Sequence, residues 1–256
     1  MRKKTWLIVL ILAVFVVPMY AQTVDEIVAK NIQARGGLDK LKKVNTIRVS
    51  GRMVVGPGIE APMVIEQKRP NQMRLEFTIQ GMTASQGFDG KSGWSIMPFG
   101  GVKDPQPMSE DDRKTIDEQA DFDGPLVDYK AKGNKVELLG KEPLEGTDTY
   151  KLQVTLKDGS VRTFYLDADS FLEIKQEGKR TIRGTVVEGE SLLGDYKEVE
   201  GLMMPFSIEA GTKGSPQRQK ITIDKVEINP TLDDSRFKMP EVKKEEPKPE
   251  DKKAKP

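Results

Sequence analysis

The sequence predicts a mainly β protein, built as an antiparallel sheet with one dry face and with an N-terminal helix and mid-chain helices as its lid. Three observations lead there. Long stretches alternate apolar and polar residues with a period of two. Glycine, aspartate and proline pairs punctuate those stretches at short intervals. Helical signals occur only at the start of the chain and in a polar segment near its middle.

Taken in order, Thr23-Val24-Asp25-Glu26 fits a capping box, with Thr23 as N-cap and Glu26 turning back to it. Val24, Ile27, Val28 and Ile32 then form a stripe at helical spacing, and Gly36-Gly37 ends it, so a helix is expected over about residues 24–35, with a second turn over 38–44. From Thr46 the period becomes two. Ile47, Val49, Met53 and Val55 alternate with polar neighbours, and Gly51 sits on the apolar parity, where a bulge or a close approach is expected. Met63 and Ile65 continue the pattern. Met73, Leu75, Phe77 and Ile79 repeat it, then Met82, Ala84 and Phe88, then Trp94 and Ile96. Pro98 to Pro107 reads as a loop. Ser109-Glu110-Asp111-Asp112 starts a mostly polar helix, and Leu126 to Ala131 reads as one more helical turn; this insert is the natural cover for the dry face.

Alternation resumes at Val136 and Leu138 and continues through Tyr150–Leu156, the Asp158-Gly159 hairpin, Val161–Leu166, Phe171–Gln176, Arg180–Val187, Gly194–Val199, Met203–Glu209 and Gln217–Ile228. The expected total is roughly ten or eleven strands. After Pro240 the chain is almost entirely Glu, Lys and Pro, a composition that cannot bury enough apolar surface to order itself, so residues 241–256 are expected to be a disordered charged tail.

The first 21 residues read as an address. Arg2, Lys3 and Lys4 precede an apolar run from Trp6 to Val17, and Ala21 offers a small residue for cleavage. The run is shorter than the roughly 20 residues a spanning helix needs. The expected domains are therefore a cleaved signal peptide over 1–21, one domain over 22–240, and the tail. Losing three basic residues leaves 38 basic against 40 acidic, an exported protein with little attraction for anionic lipid surfaces.

Composition excludes a good deal. The absence of His and Cys removes Ser-His-Asp triads, cysteine nucleophiles, zinc fingers and disulfides, and the near-neutral balance of 41 basic and 40 acidic residues argues against nucleic acid as a partner. No metal site, cofactor or catalytic constellation is expected. Gly90-Lys91-Ser92 lacks the earlier glycine of a phosphate loop, since position 85 is Ser85. Asp167 and Asp169 lack the glycine and glutamate of a calcium loop, because Leu172 and Gly178 stand there. The pairs Asp111-Asp112 and Asp233-Asp234 are better explained by a helix start and a turn than by glycoside chemistry.

Nine methionines follow residue 21, and Met53, Met63, Met73 and Met82 share the apolar parity of the first four strands. Methionine is soft and unbranched and adapts to variable partners. Two readings stay open on pattern alone: a cavity lined for flexible hydrocarbon, or ordinary core filling.

Lys68-Arg69-Pro70-Asn71, the alternating strands after it, and Asp89-Gly90-Lys91-Ser92-Gly93-Trp94 together resemble the LolA family of periplasmic outer-membrane lipoprotein carriers and sorting proteins. Leu232 to Pro240 resembles that family's closing segment, and Tyr196 to Phe206, with Gly201 and Pro205, looks like its longer LolA-like variants. The resemblance covers roughly residues 23 to 240. It implies an unclosed antiparallel β-barrel whose cavity carries acyl chains of lipoproteins or lipids from an inner-membrane donor complex to an outer-membrane acceptor, as a monomer in the periplasm. On this reading Met53, Met63, Ile65, Met73, Leu75, Phe77, Ile79 and Met82 line the hydrocarbon site, with Trp94 as a wall or core residue. Arg69 matches the family's arginine that latches the lid over an empty cavity. The rivals are an RseB-like envelope-stress regulatory module, a carboxylate-using enzyme acting on lipid or sugar, and a scaffold with a solid core.

Overall fold

The structure, a computed structural model, describes residues 22–56, 58–182 and 185–242. The expected signal peptide, and the tail beyond Val242, lie outside the described residues. Among the described residues three helices, α1 (Val24–Ala34), α2 (Leu38–Lys43) and α3 (Glu110–Gln119), accompany thirteen strands: β1 (Thr46–Gly56), β2 (Ile59–Lys68), β3 (Gln72–Ile79), β4 (Met82–Phe88), β5 (Gly93–Met97), β6 (Val102–Pro107), β7 (Lys135–Leu144), β8 (Thr147–Thr155), β9 (Val161–Asp167), β10 (Glu173–Ile182), β11 (Thr185–Val199), β12 (Leu202–Thr212) and β13 (Arg218–Ile228). No helix among the described residues is long and apolar enough to cross a membrane.

All thirteen strands belong to one sheet, in the order β6-β5-β4-β3-β2-β1-β13-β12-β11-β10-β9-β8-β7, and every pairing is antiparallel. Among the described residues no pairing joins β6 to β7, so the barrel is unclosed. This topology carries its own consequence. β6 and β7 are the two outer edges, yet they are consecutive in the chain. The segment between them, residues 108–134, therefore has to travel the full width of the sheet.

Local chemistry explains the elements. The Thr23 capping box forms in full, since the Thr23 N–H donates to Glu26 and the Glu26 N–H donates to the Thr23 hydroxyl. Ser109 caps α3 through the Asp112 N–H, and Glu110, Asp111 and Asp112 occupy its first turn, where the helix dipole favours them. Gln80-Gly81 and Glu200-Gly201 both adopt positive φ at both positions, as tight two-residue hairpins require. Gly51 marks a register shift between β1 and β13, and a Cβ there would stand 2.3 Å from the Thr222 carbonyl, so both expectations for it are realised at one residue.

Two stretches differ from the sequence reading. Pro98 to Pro107 is not a loop. A 3-10 turn at Pro98–Gly100 leads into β6, which takes its prolines because it is an edge strand. Leu126 to Ala131 forms turns rather than a helix. Thirteen strands replace ten or eleven; β6 is an addition, whereas β11 runs unbroken through the polar stretch between Val187 and Gly194 and takes in the strand expected at Gly194–Val199.

The inner face holds the core. At one side α1 lays Ile27 and Val28 on Leu152, Val154, Phe164 and Leu166. At the other, α3 presses Ile116 and Ala120 onto Met73 and Phe88. Between them Val49, Phe206 and Ile223 form a third cluster, and Met53, Ala61 and Met63 a fourth, with Ile65 packed against both of these and against the α3 cluster. The outer face of β2–β5 is covered by the chain after β13. There Arg236 donates to buried Glu66, which also accepts from Arg48, and Phe237 is fully buried.

Candidate functional site

The crossing segment is tied to both walls of the sheet at the end of α3. Arg162 on β9 holds Glu118 of α3 in a bidentate ion pair. On the opposite wall Gln67 of β2 donates to the Gln119 carbonyl at 3.0 Å. Beyond α3 the chain turns through Phe122, Asp123, Gly124 and Pro125, and here Arg69 takes hold. Its guanidinium donates to both Asp123 carboxylate oxygens at 2.5 and 2.9 Å, to the Leu41 carbonyl at 3.0 Å and to the Val44 carbonyl at 2.6 Å. The same group lies over the Phe122 ring, 4.5 Å from its centroid. Lys42 adds a second cation to Asp123 at 2.6 Å. Although burial works against it, these partners hold the Asp123 carboxyl down at about 2.

A cavity of about 290 Å³ lies directly behind this knot, near the lower end of the range for ligand sites. Its apolar walls include Leu41, Val44, Ile47, Phe122, Phe164, Leu193 and Met204, and its polar groups include Arg35, Asp123, Glu173, Gln176 and Tyr196. All three residues that accept hydrogen bonds from the Arg69 guanidinium, namely Leu41, Val44 and Asp123, are also cavity walls. Ile47 and Met204 join the cavity to the Val49, Phe206 and Ile223 cluster. Asp123 has no oxygen free of a cation, so it is not available as a base.

Glu173 is the unusual wall residue. The ladder between β9 and β10 shifts register between Glu173 and Lys175, and the shift puts Glu173 opposite Leu166 on the inner face. Its Oε1 is buried without a hydrogen-bond partner. Burial pushes this carboxyl up to about 7, against the pull of the Arg35 guanidinium and the Gln176 amide. Tyr196 donates its hydroxyl to the Glu173 backbone carbonyl at 2.6 Å, and burial raises its pKa.

The structure distributes the residues expected to line a hydrocarbon site. Met53 and Met63 are buried together, packed by Ile65, Phe77 and Ile79. Met73 is buried under α3. Leu75 pairs with Ile65 on the same face and is half-buried. Met82, 41% exposed, lies at the outer end of its strand. None of these borders the open cavity, which sits one step along, at Ile47 and Gln67. Trp94 is buried, as the core alternative has it, but it is no wall of the cavity. It pairs with Gly87, on the opposite parity from Phe88, so it lies on the outer face. There it stacks over Gly87, donates to the Phe237 carbonyl at 2.8 Å and meets the Arg74 guanidinium. Alternation alone placed it wrongly because the turn at Asp89–Ser92 resets the parity.

Sequence reasoning reached Arg69 but not its counterpart Asp123. The available signal was a lone Phe-Asp pair before Gly124-Pro125 in an otherwise polar segment. Glu173 gave no signal, since its orientation depends on a bulge that leaves no mark in the residue pattern.

Comparison places this architecture among known folds. A DUF1329 family protein from Desulfovibrio piger superposes with a TM-score of 0.59 at 13% identity, over 84% of this chain and 97% of that one. A LolA superfamily protein from Nitrosomonas europaea gives 0.57 at 17% identity, over 85% and 98%. A putative outer membrane lipoprotein-sorting protein domain from Vibrio parahaemolyticus gives 0.56 at 11% identity, over 83% and 94%. No family model matches the chain, and no curated protein matches it in sequence. The chain has the LolA-like fold: an unclosed antiparallel sheet whose apolar face is crossed by a helical segment.

Proposed function

We propose that the protein is a periplasmic carrier that shields acyl chains of lipoproteins or lipids and delivers them toward the outer membrane, without catalysis. The observation that carries this is that every group the Arg69 guanidinium grips is also a wall of the apolar cavity. A latch so placed opens the cavity when it releases and closes it when it forms. Acyl chains gain about 0.8 kcal/mol per buried CH₂, so a ligand of moderate length outweighs a few charge-assisted hydrogen bonds of about 1.5–3 kcal/mol each. The empty protein then stays shut, while the loaded one stays open until an acceptor of higher affinity takes the chain.

The Met53, Ala61 and Met63 cluster extends this reading. Ile65 packs against it and against the α3 cluster, so displacing α3 connects the cavity to a methionine-rich interior that can repack around hydrocarbon. Met53, Met63, Ile65, Met73, Leu75, Phe77 and Ile79 are proposed as its walls in the loaded state.

The test is extraction and mass spectrometry of what co-purifies from the periplasm with wild type and with Arg69→Leu. Wild type should carry acylated species, and Arg69→Leu should carry more and release them more slowly to acceptor membranes. Acyl-free protein from both preparations would sink the carrier reading; unchanged release would remove Arg69 from the latch.

A further inference from the structure

We propose that Glu173 is a polar recognition site inside the cavity, where it accepts a hydrogen bond from a hydroxyl or amide N–H at the head of an amphiphile whose hydrocarbon fills the apolar remainder. The inference rests on the carrier reading and specifies the part of the ligand that reading leaves open.

Three observations support it. The register shift between Glu173 and Lys175 directs this carboxyl to the inner face, whereas Lys175 pairs with Tyr165. Bulges are common next to sites because they re-aim one side chain. Glu173 Oε1 is then buried in the cavity wall with no partner, a vacancy for a donor that a folded protein seldom leaves unfilled. The neighbouring groups do not fill it. The Tyr196 hydroxyl is committed to the Glu173 backbone carbonyl, Arg35 Nη1 donates to the Asp123 carbonyl at 3.3 Å, and the Gln176 amide, though close enough to draw on the carboxyl, makes no hydrogen bond to Oε1.

The ligand class follows from that geometry. A bare hydrocarbon leaves Oε1 dry and unpartnered. An ester brings only acceptors, so it adds nothing at Oε1. At Glu173 itself an anionic head would set like charge against like, whatever it gained from Arg35 in the same wall. A hydroxyl or an amide N–H supplies the missing donor without adding negative charge. The raised pKa of this carboxyl agrees with a group waiting for such a partner.

The experiment is a competition at pH 7.5 between two probes that differ at the head group, N-hexadecylacetamide and hexadecyl acetate, against a fluorescent acyl reporter bound to full-length mature protein. Wild type should prefer the amide by about tenfold, the size of one well-made hydrogen bond. Glu173→Leu should lose the preference, so that the two probes bind it alike. Glu173→Gln, which keeps an acceptor oxygen and the side chain's shape, should retain most of it. Equal binding of the two probes by wild type, or a preference that survives in Glu173→Leu, overturns the inference while the carrier reading stands. Wild type that binds neither probe overturns both.

Discussion

Asp123→Asn tests the latch quantitatively. The variant keeps the shape of the side chain but removes the charge that Arg69 and Lys42 share. In the folded protein the Asp123 carboxyl sits at about 2 instead of 3.8, and its side chain is only 7% exposed, so little solvent screening applies. A drop of that size favours the folded, latched state by about 2 kcal/mol once the pH is above the unfolded value. Because the folded pKa is depressed, that contribution is complete at neutral pH and is lost as pH falls through about 4 toward 2. Urea unfolding of wild type and Asp123→Asn should therefore differ by about 2 kcal/mol at pH 7 and by about half as much at pH 3. The same 2 kcal/mol, taken from the closed state, raises the open population about thirtyfold and tightens the apparent affinity for an acyl probe by up to that factor. A stability gap that stays constant between pH 7 and pH 3 would refute the electrostatic account. A destabilised variant with unchanged probe affinity would refute the link between latch and cavity.

Glu173 predicts the opposite pH dependence. Its folded pKa is raised from 4.5 to about 7, so stability falls as pH rises through that window, by up to about 3 kcal/mol; the charged groups sharing its cavity are Arg35, Asp121 and Asp123, with Tyr196 beside it. Glu173→Gln should accordingly stabilise the protein at pH 8 and change little at pH 4.5, measured by urea unfolding. Gly87→Ala sets a methyl 2.4 Å from the Trp94 ring, so it should cost about 1–3 kcal/mol and shift the fluorescence of Trp94, the only tryptophan after residue 21, to the red. Glu66→Ala strands Arg48 and Arg236, both partly exposed, and should cost about 2–3 kcal/mol and speed proteolysis after Ile228. Ile116→Ser removes the apolar anchor of α3 over Met73 and Phe88, and should raise the binding of an apolar dye.

The fold was legible where local rules and tertiary packing agree. Period-two alternation marked β1 to β4 because each turns an apolar face to the core and a mostly polar face away from it, and the Thr23 box marked the start of α1 because both of its hydrogen bonds are local. β6 was missed because an exposed edge strand needs no alternation and tolerates Pro105 and Pro107. The site was legible only in part, for a different reason. Arg69 stands in a recognisable segment, but Asp123 lies 54 positions away and meets it only because the segment between β6 and β7 must cross the sheet. No residue pattern announces that crossing. The strand order imposes it, since an open sheet that begins in its own middle, at β1 beside β13, grows outward in both directions and leaves its two consecutive edge strands farthest apart. A chain wound this way has no short route from β6 to β7, and the apolar face lies along the long one. The cover is thus a product of the winding, and what the side chains add is the means of holding it: Arg69 on one wall, Arg162 on the other, and the cavity between them.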